Sequence, residues 1–457
     1  MASWRPGLLQ SPPVPTKVPD SRIGRLGRIM SLSGKVGGNL LARTASKLAG
    51  KDGRWAERRV AQQLVATLGQ MKGLAQKMGQ ALSMDVDHLP RDVRVIISAL
   101  QSKSEPLDYP AIAKVVEQEL GKPPDRVFKT FEREPMAAAS LGQVHRATLA
   151  DGRALAVKVQ YPGAASAMAA DLKNIDILLR TVGGVMRTAG ASIKGRGYFE
   201  EISAQLTFET DYRREARSAQ DYAAAARPFP ELRVPEVIPE LSTARVLSLE
   251  LLEGEPLSAI LKEPSKTSNQ KRLQISAGLI ASLYGPLLTT GLVHADPHPG
   301  NFLVLPDGRL GVLDFGSLKR YSAEMIEAYR EVYRALLQAA PLDYERLLAK
   351  AGFEVHATPQ EYRPVLAQLF DLMRLPLRVD PFDFGDAQLV REFQGVARKN
   401  APLLMKLRPP ADSLMFFRAF GGQGQNLRAL GATGNFAPIY ARVFEVAVGD
   451  WNSSSAA

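Results

Sequence analysis

The chain of 457 residues contains no cysteine. It therefore has no disulfide framework, thiolate zinc site, iron–sulfur ligation or cysteine nucleophile. Histidine is scarce as well: the five residues form no H-E-x-x-H pattern, which argues against a zinc hydrolase. No hydrophobic signal peptide opens the sequence, and the long uncharged stretch at 273–293 is too polar and too interrupted for a membrane span. We expect a buried helix there, running into a functional loop.

The composition, with 45% hydrophobic and 23% charged residues, is that of a soluble globular protein. The net charge of +11 is concentrated at the start, because residues 1–60 hold twelve Lys/Arg against Asp20, Asp52 and Glu57. Residues 1–20 are rich in proline, and arginines alternate with aliphatic residues between 22 and 29. This basic arm has three open interpretations: adhesion to an anionic membrane, a flexible leader, or a targeting sequence.

Hydrophobic periodicity predicts a bilobal α+β fold, with a helical extension, a mostly β first lobe and a mostly α second lobe. We expect helices at 55–84, 109–120 (N-cap Asp108, stop Gly121), 164–185, 198–225 and 270–291. We expect strands at 127–133, 142–149, 153–160 and 244–252, with hairpin turns at Asp151-Gly152 and Asp307-Gly308. After residue 320 we expect only helices. The predicted units are a basic arm (1–54), a helical extension (55–125), a mostly β first lobe (126–255), a helical second lobe (256–440) and a tail (441–457).

The strongest chemical pattern is a loop that runs from His294 through Asp296 to Asn301, followed thirteen residues later by Asp314-Phe315-Gly316. Asp296 can orient an attacking hydroxyl or water, while Asn301 and Asp314 offer hard oxygen ligands for Mg²⁺ on nucleotide phosphates. The spacing and the intervening hairpin are typical of a kinase catalytic core. A second D-F-G at 383–385 follows Asp380-Pro381 and has no H-x-D loop upstream, so we interpret it as a surface loop.

The residues expected around ATP lie upstream of this loop. Lys158 ends an aliphatic run and can hold the inner phosphates, and an acidic helix offers Glu209, Asp211 and Glu215 as partners. Helical-wheel geometry would place Asp211 and Glu215 on one face and Glu209 on another. We expect the remaining nucleotide contacts from the phosphate-covering loop, where alanine replaces glycine, and from the end of the strand at 244–252: Ala137, Ala138, Ala139, Ser140, Gly142, Glu250 and Leu252.

From about residue 25 to 440 the sequence resembles the UbiB/AarF (ADCK) family of atypical kinases. The resemblance depends on Lys77-Met78-Gly79-Gln80 as a K-x-G-Q motif, on the alanine-rich loop, and on Glu209-Thr210-Asp211 as an E-x-D motif. It implies that Lys158 pairs with Glu215, while Lys77 and Gln80 belong to a regulatory extension from which Lys77 reaches Glu209 and Asp211. It also implies ATP and Mg²⁺ as cofactors and a supporting role in ubiquinone or other isoprenoid-lipid metabolism at a membrane.

The expected partners are therefore ATP, an anionic membrane surface or isoprenoid lipid, and quinone-biosynthesis enzymes, with no nucleic acid. We expect a cytoplasmic or peripheral membrane protein without a transmembrane helix. A nucleotide-gated scaffold and a small-molecule phosphotransferase are the alternatives. Efficient protein phosphorylation is not expected, because no A-P-E tripeptide follows Gly316 and a helix capped by Ser322 begins almost at once.

Overall fold

The computed structural model of the chain describes residues 106–139, 141–170, 172–173, 203–204, 207–410 and 413–448. The basic arm, the extension that carries Lys77 and Gln80, and Ser140 of the alanine-rich loop lie outside the described residues.

The first lobe contains a five-stranded sheet with the order β1-β3-β4-β6, in which β2 also pairs with β3. Its strands are β1 (Thr130–Phe131), β2 (Ala137–Ala138), β3 (Gly142–Thr148), β4 (Ala154–Gln160) and β6 (Val246–Glu250). Alternate residues of β4, including Val157 and Val159, are buried in one core with helix α1 (Tyr109–Leu120). Because side chains alternate along a strand, Lys158 projects from the opposite face, toward the second lobe.

The predicted strand at 127–133 is wrong over its first part. Residues Pro124–Val127 form one helical turn, α2, and only Thr130–Phe131 pair as a strand. Proline in the first turn fixes a helical φ and needs no amide donor, so Pro124 favours the turn. Helix α1 has the predicted bounds, with Gly121 left-handed at its end, although the Asp108 side chain makes no capping hydrogen bond.

The predicted helix at 198–225 is interrupted between Glu209 and Asp211. Residues 209–210 form a turn, and α3 (Tyr212–Ala226) begins after Asp211, whose side chain accepts a hydrogen bond from the Arg213 N–H. Aspartate is a preferred N-cap because its carboxylate satisfies an unpaired amide. The helical-wheel relation predicted among Glu209, Asp211 and Glu215 is therefore wrong.

The second lobe is built around α5 (Asn269–Thr290), which is buried from Ile275 to Leu288 in the largest apolar cluster. The expected buried helix is thus confirmed, and no helix among the described residues is long and apolar enough to cross a membrane. The strands β5 (Leu232–Arg233), β7 (Glu255–Pro256), β8 (Leu292–His294), β9 (Phe302–Val304), β10 (Leu310–Val312) and β11 (Leu318–Arg320) lie around the loops that follow α5. The β9–β10 hairpin has its turn at Gly308, as predicted.

Apart from the described helical residues between 164 and 208, the other α-helices in the described part of the chain are α4 (Leu257–Ile260), α6 (Ala323–Gln338), α7 (Tyr344–Lys350), α8 (Pro359–Arg378), α9 (Ala387–Lys399), α10 (Ala401–Leu404), α11 (Ser413–Leu430) and α12 (Ala437–Val448). The expectation of helices alone after residue 320 is wrong. Two small antiparallel pairs join distant segments: β12 (Glu354–Val355) with β14 (Leu407–Arg408), and β13 (Phe382–Asp383) with β15 (Thr433–Gly434). Two-residue strands have no periodicity that a sequence can display.

Candidate active site

A lysine ammonium joins the two lobes at the centre of the site. Lys158 Nζ donates to both carboxylate oxygens of Glu215, at 2.8 and 2.9 Å, and lies 3.6 Å from Asp314 Oδ2. Burial alone would lower the pKa of Lys158, but Asp314 and Glu215 outweigh it and raise the pKa well above its ordinary value. Burial raises the pKa of Glu215, and the Lys158 ammonium opposes that effect. The predicted Lys158–Glu215 pair is therefore present, and Lys158 stays charged.

Asp314 is held in a left-handed backbone conformation, with φ of 48°. Its carbonyl accepts a 2.7 Å hydrogen bond from His294 Nε2, and its Oδ1 accepts from the Gly316 N–H at 3.1 Å. Phe315 is fully buried and packs on Tyr222 and His294. Non-glycine residues in this region are strained and persist only where the surroundings fix them. The contacts on both sides of Asp314 supply that constraint and direct its carboxylate toward Lys158.

The Asp296 carboxylate is held through both of its oxygens. Arg418 of α11 donates to Oδ1 at 2.9 Å, and Asn301 Nδ2 donates to Oδ2 at 3.1 Å and to the Asp296 carbonyl at 3.0 Å. The Arg418 and Asp296 side chains are only 12% and 9% exposed. Asp296 is thus a buried, paired carboxylate whose orientation is fixed from two directions.

The oxygens available for Mg²⁺ fit the ion's preferences. Asn301 uses its amide nitrogen on Asp296, so its carbonyl oxygen Oδ1 is left as an acceptor. The Leu313 backbone N–H donates to the backbone carbonyl of Asn301 at 2.8 Å. This bond brings Asp314 beside Asn301 across the β9–β10 hairpin. The described residues contain no group of three or more His, Cys, Asp or Glu that could hold a metal alone. One carboxylate and one amide oxygen match an ion bound mainly through nucleotide phosphates and water.

The described alanines of the alanine-rich loop pair with the start of β3. Ala137 and Ala138 pair with Val144 and Gln143, and the Ala139 N–H donates to the Gly142 carbonyl at 2.9 Å. A Cβ on Gly142 would lie 2.2 Å from the Val159 carbonyl oxygen and 2.9 Å from the Tyr212 hydroxyl. Gly142 is therefore required by close packing and not by a positive φ. Its role, like that of Ala137, Ala138 and Ala139, in nucleotide contact stays a prediction.

The nucleotide contacts predicted at the end of β6, by Glu250 and Leu252, stay a prediction. Arg233 donates to both carboxylate oxygens of Glu250 at 2.6 Å, and the Glu236 N–H adds a third bond at 3.1 Å. The Glu250 side chain is therefore committed to structure, so any adenine contact would come from its backbone. The Leu252 side chain lies beside Gly311 of the β9–β10 hairpin, and a Cβ built on Gly311 would be 3.3 Å from it.

Glu209 and Asp211 have separate surroundings. Glu209 is buried against the D-F-G segment: Ser317 Oγ lies 3.5 Å from its carboxylate, and a Cβ on Gly316 would be 3.2 Å from its Cγ. Asp211 caps α3. The predicted pairing of both with Lys77 falls outside the described residues.

Comparison with known proteins agrees with this geometry. A model of the ABC1 atypical kinase-like domain matches residues 99–350, more than half of the chain. This chain belongs to the ABC1 atypical kinase-like family. It is similar to the atypical kinase COQ8 of Saccharomyces cerevisiae, with 29% identity over 94% of this chain and 86% of that protein. It is 33% identical to the rat atypical kinase COQ8B, over 87% of this chain and 75% of the relative.

A solved structure shares the ABC1 fold. The complex of Rv3197 with erythromycin from Mycobacterium tuberculosis superposes with a TM-score of 0.58 at 28% identity, covering 85% of this chain and 96% of that one. The predicted UbiB/AarF membership and the bilobal kinase-like α+β fold are confirmed, and the chain is an atypical kinase or ATPase.

The segment after the D-F-G distinguishes this ABC1 chain from protein kinases. Ser322 accepts a hydrogen bond from the Met325 N–H, and α6 begins at Ala323, directly after β11. The predicted early helix is present, so few residues are left to bind an extended peptide.

The second D-F-G lies in a different setting. Asp383 is exposed and belongs to β13, which pairs with β15, while Phe382 and Phe384 pack on Phe436. The tripeptide thus lies at the surface, as expected, but a strand pair anchors it, so the prediction of a loop is wrong. Phe384 and the preceding Phe382 explain the difference, because they bury apolar area that holds the segment in place.

Arg418 is the site residue that sequence patterns do not single out. It is the one charged residue among the apolar side chains between Met415 and Phe420, and such an isolated charge is the only available indication. Pairing with a residue 122 positions earlier follows from tertiary structure alone.

Proposed function

We propose that this ABC1 protein binds Mg-ATP in the cleft between the lobes, beside Lys158 and Asp314, and transfers or hydrolyses the γ-phosphate. This activity would support ubiquinone or other isoprenoid-lipid metabolism at a membrane. The observation that carries the proposal is the charged Lys158, held 2.8 Å from Glu215 and 3.6 Å from Asp314. An ammonium fixed between two lobes is suited to hold nucleotide phosphates.

Magnesium, when bound, would bridge phosphate oxygens and neutralise their charge. Glu215 orients Lys158 toward the phosphates, and Asp314 and Asn301 would hold the ion. Asp296 orients the attacking oxygen. The Arg418 guanidinium on Asp296 Oδ1 stabilises the carboxylate and fixes its orientation as a hydrogen-bond acceptor. Water or a small hydroxyl is the acceptor that suits this arrangement.

We expect this protein to phosphorylate other proteins poorly. The start of α6 at Ala323 leaves little room for a peptide, and the predicted Lys77 extension would add a further obstacle. The basic arm, with its excess of arginine and lysine, supports association with an anionic membrane surface. The similarity to COQ8 proteins supports isoprenoid lipid and quinone-biosynthesis enzymes as partners.

A nucleotide-gated scaffold is the second candidate, and one observation favours it. Both oxygens of Asp296 are occupied by Arg418 and Asn301, so the carboxylate is restrained before any substrate arrives. Such a site could bind ATP with little turnover.

Magnesium-dependent ATP hydrolysis by the full chain separates the two candidates. It should be measured with and without anionic liposomes and an isoprenoid phenol, and Asp296→Asn serves as the blank. Turnover that Asp296→Asn abolishes while ATP binding persists supports the enzyme. ATP binding with no turnover under any of these conditions supports the scaffold, and absence of ATP binding refutes both.

A further inference from the structure

A buried phenol beside Lys158 has no hydrogen-bond partner among the described residues. Tyr212 is the first residue of α3 and is only 1% exposed, yet its hydroxyl neither donates nor accepts a hydrogen bond there. On the same helix the hydroxyl of Tyr222, which is also fully buried, donates to the Ser282 carbonyl at 2.7 Å. Buried polar groups are nearly always paired, because an unpaired one costs free energy. The orphaned Tyr212 hydroxyl therefore requires an explanation that folding alone does not give.

The neighbours of Tyr212 place its hydroxyl where the nucleotide phosphates are expected. Lys158 Nζ lies 5.1 Å from the centre of the Tyr212 ring. A Cβ on Gly142 would lie 2.9 Å from the hydroxyl oxygen, so this oxygen lies against the main chain that ends the alanine-rich loop. Gly142 and Lys158 share one face of the sheet, because Lys158 pairs with Val144, two residues along β3 from Gly142. The hydroxyl thus lies between the ammonium and the loop that we expect to cover the phosphates.

The Tyr212 hydroxyl is a hydrogen-bond donor at physiological pH. Burial raises the pKa of the phenol; the Lys158 ammonium lowers that pKa, and the Glu215 and Asp314 carboxylates raise it. The net pKa is higher than that of an ordinary tyrosine, so the proton is retained. It is available to an acceptor oxygen of a ligand.

The alanine-rich loop has few free donors for that ligand. A glycine-rich loop can turn its main-chain N–H groups toward phosphates, because glycine permits a close approach of the backbone. In this chain the Ala139 N–H donates to the Gly142 carbonyl at 2.9 Å, and the Met136 N–H donates to the Val144 carbonyl at 2.8 Å. These two donors are used within the first lobe. A hydroxyl supplied by α3 would take over part of their role.

We propose that the Tyr212 hydroxyl donates a hydrogen bond to an oxygen of the β- or γ-phosphate of the bound nucleotide. This inference rests on the proposed function, since it assigns a further binding residue to the same site. Lys158 supplies positive charge to the phosphates, and Tyr212 adds a neutral donor at a fixed position beside it. The hydroxyl has almost no exposed surface, so the main chain at Gly142 has to move before a phosphate oxygen can reach it.

Equilibrium binding of Mg-ATP, Mg-ADP and AMP to the full chain tests the contact. Tyr212→Phe keeps the ring beside Lys158 and removes only the hydroxyl. We expect Mg-ATP to bind about tenfold more weakly, or more, because a hydrogen bond to a charged phosphate is lost, and AMP binding to stay unchanged. An equal loss for Mg-ADP assigns the contact to the β-phosphate, and a loss for Mg-ATP alone assigns it to the γ-phosphate. Unchanged Mg-ATP binding, or an equal loss for AMP, would overturn the proposal.

Urea denaturation without nucleotide separates a ligand contact from a role in the fold. Tyr212→Phe should unfold at or above the urea midpoint of the native chain, because its hydroxyl has no partner to lose. Tyr362→Phe is the matched control, since Tyr362 is 2% exposed and its hydroxyl donates to Glu345 at 3.1 Å. That variant should unfold at a lower urea concentration and bind Mg-ATP like the native chain. A midpoint for Tyr212→Phe as low as that of Tyr362→Phe would show a structural role and refute the proposal.

A second orphaned phenol controls for the loss of a buried hydroxyl as such. The Tyr161 hydroxyl, just after β4, also has no partner among the described residues, and burial is the one cause of its raised pKa. Tyr161→Phe should therefore bind Mg-ATP as the native chain does, and an equal loss in both variants would contradict a specific contact. A native chain that binds no ATP would refute the proposed function. ATP binding that Tyr212→Phe leaves intact would refute this inference alone.

Discussion

Removing the Arg418 guanidinium should destabilise the fold far more than removing an exposed arginine from the same helix. In Arg418→Ala, the Asp296 carboxylate loses its partner on Oδ1 at a position only 9% exposed, while Asn301 still donates to Oδ2. Breaking a buried ion pair from one side costs about 3–5 kcal/mol. Because Asn301 remains, we expect the free energy of unfolding to fall by about 3 kcal/mol, at the lower end of that range.

Urea denaturation followed by circular dichroism measures this loss. The matched control is Arg428→Ala, also on α11, which is exposed and should change the unfolding free energy by no more than about 1 kcal/mol. A double-mutant cycle of Arg418→Ala with Asp296→Ala isolates the pair and should give a coupling of about 1–3 kcal/mol. Additive single effects, or equal losses for Arg418→Ala and Arg428→Ala, would refute the assignment of Arg418 as the residue that fixes Asp296.

The other predictions concern packing, pH and membrane binding. Gly142→Ala should lower the unfolding free energy by about 1–3 kcal/mol in the same urea assay, because its Cβ would lie 2.2 Å from a carbonyl oxygen of β4; an unchanged midpoint would contradict this contact. Burial raises the pKa of Glu215, so ATP binding should weaken as the pH falls through that raised value. The free energy of unfolding should rise over the same window, since the folded state takes up the proton more readily than the unfolded chain. Fluorescence titration across pH should show that Glu215→Gln lacks this acid limb; an identical limb in the variant would assign it to another group. Deleting residues 1–50 should reduce cosedimentation with anionic liposomes, and salt should do the same because the Debye length is about 10 Å at 0.1 M; equal binding to neutral liposomes at high salt would argue against electrostatic attraction.

Local patterns predicted the parts of the fold that local physics decides. The Pro110 start and Gly121 stop of α1, the Asp151-Gly152 turn and the long uncharged stretch of α5 are local signals, and each predicted element is present. The pattern failed where a cap or a proline competes with periodicity. Asp211 ends the apparent 198–225 helix because its carboxylate caps a new one, and Pro124 converts part of a predicted strand into a helical turn.

The residues of the site also fall into two groups: those that local motifs predict and one that only tertiary packing brings into place. Lys158, Asp296, Asn301 and Asp314 lie within recognisable motifs, so their meeting in one cleft could be predicted from spacing. The contribution of Arg418 could not, because it depends on how α11 packs beside the catalytic loop more than a hundred residues earlier in the sequence.

The anchoring of the second D-F-G could not be predicted either. The partner strand Thr433–Gly434 has two residues, which is too short for any periodicity. Side-chain pairing between distant segments is set by tertiary packing and not by local propensity.

The two D-F-G tripeptides allow the most direct test of the central claim, that Asp314 and Lys158 form the Mg-ATP site. In both tripeptides the aspartate Oδ1 accepts the N–H of the glycine two residues on, at 3.1 Å for Asp314 and 2.7 Å for Asp383, so alanine removes a similar local bond from each. Equilibrium binding of ATP should be measured with and without Mg²⁺ for the native chain, Asp314→Ala and Asp383→Ala. Asp314→Ala should lose the tightening by Mg²⁺, because it loses a hard oxygen ligand, and Asp383→Ala should keep it. Retention of the magnesium effect in Asp314→Ala, or its loss in Asp383→Ala, would contradict the assignment of the site.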